Sequence, residues 1–159
     1  LKGTVLDVGC GSGMLAEEVS AESFVGVAVD SLSLNTAIEK FPTYRFQKTL
    51  PEDTEKFDTV VSLAVIEHVT SPEEFLAEIS SRLKINDKAR VVITTPHPSM
   101  DWIHDLGANI GLFSKHANDE HEELLDYEKL VLVGKKSGLK LVEYKRFLFG
   151  SNQLAVFKR

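Results

Sequence analysis

The stretch VLDVGCGSGMLAEE, residues 5–18, decides the fold. A short apolar run, Val5, Leu6 and Val8, leads into three glycines within five residues, Gly9, Gly11 and Gly13. Apolar residues then recur at 14, 15 and 19, as on one face of a helix. A buried strand that ends in a glycine loop and turns into a helix makes an anion-friendly pocket. Backbone N–H groups and the positive helix end point at the ligand, and glycine lets it come close. The expectation is a strand over 4–8, a loop, and a helix over 13–21.

Outward from that stretch, strand and helix patterns alternate. FVGVAVD (24–30) reads as a second strand ending in an acid, LSLNTAIEKF (32–41) as a short helix stopped by Pro42, and YRFQ (44–47) as a weak strand. FDTVVSLAVI (57–66) is a strong strand pattern. SPEEFLAEISSRLK (71–84) has the best helix start in the chain: Ser71 can cap, Pro72 suits the first turn, and Glu73 and Glu74 favour the positive end. ARVVITTP (89–96) is a strand closed by Pro96, and residues 97–119 read as a long loop. YEKLVLVGKKSG (127–138) reads as a helix ending at Gly138. LKLVEYKRF (139–147) and NQLAVFKR (152–159) alternate apolar and polar residues around a short turn at Gly150-Ser151. The order implies an α/β fold, one doubly wound, mostly parallel seven-stranded sheet. A parallel pair cannot be joined by so short a turn, so the last strand is expected to be antiparallel.

The 159 residues suit one domain, 1–159, able to bury a core without staples. Cys10 is the one cysteine, which excludes an internal disulfide framework and points to a reducing, cytoplasmic setting. No apolar run reaches the length that spans a bilayer, so no membrane insertion is expected. With 18 basic against 24 acidic residues the formal charge is −6. That leans against nucleic acid as partner and leaves room for a local basic patch. The chain begins at Leu1 rather than at an initiator Met, as a part of a longer chain would.

The ligand of the loop follows from spacing. Asp30 stands 17 residues after Gly13, where a carboxylate can accept hydrogen bonds from ribose hydroxyls. A dinucleotide fingerprint has glycines at its first, third and sixth positions, and here the sixth is Met14. That side chain is too large for the close helix–strand packing the third glycine serves, which disfavours a nucleotide-dependent oxidoreductase. Glycines at 9, 11 and 13 after Asp7 suit a ligand with a carboxylate and an amine instead of a pyrophosphate.

VLDVGCGSG resembles the first motif of class I S-adenosylmethionine-dependent methyltransferases, with a Rossmann-like fold. VAVD (27–30) is similar to that family's ribose-binding acid, FDTVVSLAVIEHV (57–69) to its fourth-strand motif, and RLKINDKARVVITTP (82–96) to the segment after it. The resemblance covers essentially the whole chain, and the small-molecule methyltransferases of ubiquinone biosynthesis are the most similar kind. It implies S-adenosylmethionine as cofactor, held by Asp7, Gly9, Cys10, Gly11, Gly13, Asp30, Ser31, Leu32 and Leu63. The family's usual helices before the first strand are expected to be lacking. So is its acid after the third strand, where Gln47, Lys48 and Thr49 stand.

The implied reaction is methyl transfer to a small-molecule acceptor, with oxygen as the expected atom. A hydroxyl acceptor benefits from a nearby base. His68, just past the fourth strand, is the first candidate, and His97, after the fifth, is the second; each also has a plain reading as pocket wall or loop residue. His104, His116 and His121, with Asp101, Asp105, Asp119 and Glu120, match no compact ligand pattern, and no metal is expected. Trp102 and Phe113 fit an acceptor pocket or a core role equally. The Asn/Asp-Pro-Pro-aromatic run of amino-group methylation is replaced by SLAVIEHV. The alternative function is a binding or scaffold domain of the same fold with weak or no catalysis. The sequence leaves the oligomeric state open.

Overall fold

The structure, a computed structural model, describes residue 1, residues 3–100 and residues 124–159. Seven strands form one sheet in the order β3-β2-β1-β4-β5-β7-β6. They are β1 (Val5–Val8), β2 (Phe24–Val27), β3 (Arg45–Gln47), β4 (Thr59–Leu63), β5 (Arg90–Pro96), β6 (Lys140–Phe147) and β7 (Asn152–Lys158). Neighbours from β3 to β5 pair parallel, and β7 runs antiparallel to both β5 and β6, as the short turn requires. Among the described residues the α-helices are α1 (Ser31–Lys40), α2 (Pro72–Ser81) and α3 (Tyr127–Lys136).

Burial follows position in the sheet. All four residues of the central strand β1 are buried, which is why it reads as an unbroken apolar run. β5 alternates instead, with Val91, Ile93 and Thr95 buried and their neighbours half-buried. The larger core joins Leu6, Val8, Val25, Val60, Val91, Ile93 and Phe157 to Leu76 and Ile79 of α2 and Leu130 and Val133 of α3. The opposite face holds Val5, Ala16, Phe24 and Val61, backed by Phe41, Tyr44 and Phe46.

Helix starts are chemically explicit. The Ser71 hydroxyl accepts from the Glu74 N–H at 3.4 Å, with Pro72 behind it. Asp126 does the same for Lys129 N–H at 2.9 Å. A Lys136–Glu73 ion pair at 3.1 Å and a hydrogen bond from Ser137 Oγ to the Glu73 carbonyl lash α3 to α2.

Four expected boundaries differ. The helix expected over 13–21 is a five-residue 3₁₀ turn, Met14–Glu18, followed by a second at Ala21–Ser23. Its first turn leaves a left-handed Gly13, and Val19, β-branched and followed by Ser20, is already extended. The 3₁₀ spacing stacks Ala16 and Val19 on the smaller core. The second strand stops at Val27 rather than 30, because Asp30 caps α1. The fourth stops at Leu63 rather than 66, because Ala64 turns at φ 54° and a 3₁₀ turn follows at Ile66–His68. The helix over 71–84 ends at Ser81, freeing Leu83 to bridge Phe57.

One weakly patterned strand has a large structural role. Phe46 of β3 joins Phe24, Phe41 and Tyr44 in a cluster with ring centroids 5.6–6.5 Å apart. A Cβ on Gly26 would stand 2.5 Å from Phe46 Cδ1 and 3.0 Å from Cys10 Sγ. Gly26→Ala should therefore lower stability by about 1–3 kcal/mol in urea unfolding. Adding Phe46→Leu should restore part of the loss. An unchanged midpoint in the single variant would show that this contact is not tight.

Candidate active site

The carboxyl ends of the parallel neighbours β1, β2, β4 and β5 lie at one edge of the sheet, the edge where such sheets bind ligands. The glycine loop is clamped to its neighbour: the N–H groups of Gly9 and Cys10 both donate to the Val27 carbonyl, at 2.8 and 2.9 Å. Gly13 N–H donates to the Cys10 carbonyl at 2.9 Å. The N–H groups of Gly11 and Ser12 have no hydrogen-bond partner among the described residues. The three glycines serve different ends. A Cβ on Gly9 would meet Val65 Cγ2 at 2.3 Å, and one on Gly13 would meet the Phe46 ring at 3.0 Å. One on Gly11 would meet nothing within 4 Å. Gly9 and Gly13 are thus fixed by packing, and Gly11 is the one that fronts open space. All three have positive φ, between 51° and 83°, which glycine adopts at little cost.

Asp7 stands between Gly26 of β2 and Val61 of β4 and is 3% exposed. Burial pushes its carboxyl up to about 7, and no hydrogen bond or cation from a described residue offsets that. A buried carboxylate without a partner is costly in a ligand-free protein, and an ammonium beside it would relieve the cost. Cys10 packs with Ala28 and Leu34. Burial and then the Asp7 charge push its thiol up to about 12, so it is no nucleophile.

Asp30 lies beyond the strand end, at the N-cap of α1, where Oδ2 accepts the Ser33 N–H at 2.8 Å. Those hydrogen bonds from Ser33 hold its carboxyl below the usual range. Beside it, Ser31 Oγ accepts from Lys48 Nζ at 2.9 Å. Gln47 is tied into its own loop, its Nε2 donating to the Thr49 carbonyl and its Oε1 accepting from Arg45. Large apolar side chains stay exposed on these segments: Met14, Val29, Leu32 and Leu63. Exposed apolar groups on the turns that frame a crevice offer contact to an apolar ligand part.

On the other rim, His68 is exposed at the end of its 3₁₀ turn, and Glu67 beside it is buried. His97 follows β5, its N–H donating to the Ser151 carbonyl at 2.9 Å. Its Nδ1 accepts the Ser99 N–H at 3.0 Å and lies 2.8 Å from Ser99 Oγ, which in turn takes a hydrogen bond from Arg146. Partial burial and the Arg146 charge lower its pKa. The neutral ring therefore carries its proton on Nε2 and presents a donor there. Sequence reasoning missed Phe46 and Val65 as shapers of this site. A glycine inside the FVGV strand was the available signal, since it marks a close approach. His104, His116, His121, Trp102 and Phe113 lie outside the described residues.

Comparison with known proteins agrees with this geometry. A family model described as a methyltransferase domain matches residues 1–144. The ubiquinone biosynthesis O-methyltransferase of Rickettsia felis is 34% identical over 96 residues, covering 54% of this chain and 38% of that protein. The enzyme of the same name from Brucella anthropi is 26% identical over 150 residues, covering 87% of this chain and 60% of that protein. The chain thus spans between about two fifths and three fifths of these relatives. An S-adenosylmethionine-dependent methyltransferase structure from Clostridium acetobutylicum superimposes with a TM-score of 0.72 at 14% identity, covering 99% of this chain and 84% of that one.

The Asp7 carboxyl yields a test in the ligand-free protein. Its pKa rises from 3.8 on unfolding reference to about 7 in the fold, so the folded state holds the proton more tightly. Relative to the unfolded chain, the group costs nothing below about pH 4, its cost grows as pH rises toward 7, and it is complete above that. Asp7→Asn removes the charge, so it should gain on the parent as pH rises, by about 2–4 kcal/mol at pH 8, with the difference shrinking toward pH 4. Urea unfolding at pH 4.5 and 8 measures it. A difference independent of pH would contradict the desolvated carboxylate.

Proposed function

Because the chain belongs to the methyltransferase domain family and has the fold of S-adenosylmethionine-dependent methyltransferases, we propose that its crevice binds S-adenosylmethionine for methyl transfer to an oxygen of a small-molecule acceptor. The observation that carries this reading is Asp7, a buried carboxylate without a partner among the described residues, next to a loop whose Gly11 none of those residues covers. A cationic amine fits the one, and a ligand carboxylate fits the unbonded N–H groups of Gly11 and Ser12. Asp30 keeps a second carboxylate oxygen beyond its cap bond for ribose hydroxyls, beside Ser31. Leu32 and Leu63 offer apolar surface to adenine. Gly9, Cys10 and Gly13 shape the loop that holds these groups.

When bound, the sulfonium supplies an activated methyl group whose bonding pair stays on sulfur as the new carbon–oxygen bond forms. The chain aligns donor and acceptor and manages the acceptor's proton. His68, exposed on the rim, takes that proton. His97, neutral with Nε2–H outward, donates a hydrogen bond and orients the acceptor. Oxygen as the acceptor atom rests on the naming of the curated relatives, and a quinone precursor is the acceptor class to try first. The lone buried thiol suits a reducing compartment, the cytoplasm.

Asp30 separates ligand binding from helix capping. Asp30→Ser keeps a good cap and removes the carboxylate. It should keep the melting temperature near the parent's and weaken S-adenosylmethionine about ten- to a hundredfold. Unchanged affinity would leave Asp30 as a cap alone. His68→Ala, assayed with a catechol or phenol acceptor, should lower turnover about a hundredfold with cofactor affinity intact. Equal turnover would remove His68 from the chemistry.

A further inference from the structure

The amino ends of the strands, on the edge opposite the crevice, carry a second concave site. A cavity of about 370 Å³ is lined there by Gly3, Asp58, Lys88, Arg90 and Lys158. Its cations form a row set by the sheet register. Val91 pairs with Phe157, so one step further Arg90 stands beside Lys158, and Lys158 pairs with Lys140. Val91, Phe157 and Leu141 pack into or against the large core, so the three cations share the other face. Neighbouring strands lie about 4.8 Å apart, which places three like charges side by side. Such pairs repel, and the fold offers little relief. Lys88, Arg90, Lys140 and Lys158 form no ion pair among the described residues.

The Asp58 carboxylate in the lining is already engaged. Asp58 Oδ2 accepts from Lys84 Nζ at 2.7 Å, from Thr4 N at 2.9 Å and from Thr4 Oγ1 at 3.0 Å. Asp87 gives its backbone carbonyl to Lys158 Nζ at 2.9 Å, leaving that ammonium with donors to spare. Glu143 sits farther up β6, opposite Val156. In a chain of formal charge −6, Lys88, Arg90 and Lys158, which line a cavity with no ion pair among the described residues, call for an anion. A guanidinium beside an ammonium matches adjacent phosphoryl groups, the one by paired hydrogen bonds and the other as a point charge.

We propose that this cavity binds a small phosphate-bearing ligand, holding a diphosphate group between Arg90 and Lys158, with Lys88 and Lys140 at its rim. The site lies at the edge of the sheet opposite the cofactor site proposed above. Calorimetric titration of inorganic diphosphate at low salt tests it, with orthophosphate in parallel. The expected result is saturable diphosphate binding, tighter than orthophosphate and weaker at higher salt. Arg90→Gln, Lys158→Gln and Lys140→Gln should each weaken it at least tenfold, while Lys135→Gln, on α3, leaves it unchanged. Lys158→Gln should also raise the melting temperature, because it removes a repulsion, and this distinguishes a ligand site from a structural one. Affinity for S-adenosylhomocysteine should stay at the parent's value in all four. No saturable binding, or equal weakening by Lys135→Gln, would overturn the proposal.

Discussion

The crevice depends on one carbonyl. Val27 O accepts both Gly9 N–H and Cys10 N–H, and that pair of bonds folds the glycine loop back over the end of β2. With those two donors occupied, the loop presents the N–H groups of Gly11 and Ser12 instead. The same fold-back seats Gly13 on the Phe46 ring and Gly9 against Val65, so β3 and the turn after β4 both press on the loop. Asp7 is buried as a consequence, one residue pair below the clamp in the β1–β2 ladder. The loop is therefore framed by packing at Gly9 and Gly13, and among the described residues nothing covers Gly11.

The two ends of the sheet carry opposite chemistry. At the carboxyl ends stand carboxylates, Asp7 and Asp30, together with exposed apolar side chains and two histidines. At the opposite edge stand Arg90, Lys158 and Lys140, with Asp58 paired to Lys84. Carboxylates and a cluster of cationic side chains thus stand at different edges of one sheet, a separation that the net charge of the chain hides.

Much of this was legible in the sequence because it is local. Ser71, Pro72 and two glutamates define the start of α2, and the structure begins that helix at Pro72. The alternation over 139–159 and its short turn gave an antiparallel end, which β6 and β7 form. What escaped was set by distant contacts. Strand ends at Val27 and Leu63 follow from a cap at Asp30 and a turn at Ala64, and apolar runs continue past both. The expected helix after Gly13 is a 3₁₀ turn, since the pattern shows which side is buried but not how tightly the chain coils. Phe46 sits in a three-residue strand too short to show a period. At the site, Asp7, the glycines and Asp30 were marked by spacing; the packing duties of Gly9 and Gly13 and the donor state of His97 needed coordinates.

The central claim is that Asp7, buried and without a partner among the described residues, takes the amine of an adenosyl amino acid beside Gly11. Calorimetric titration of the protein with S-adenosylhomocysteine and with NAD, at pH 6 and pH 8, tests it most directly. The account predicts saturable binding of S-adenosylhomocysteine, no response to NAD, and tighter binding at pH 8, where Asp7 is ionised before the ligand arrives. Silence toward S-adenosylhomocysteine at both pH values, or preferential binding of NAD, would contradict it.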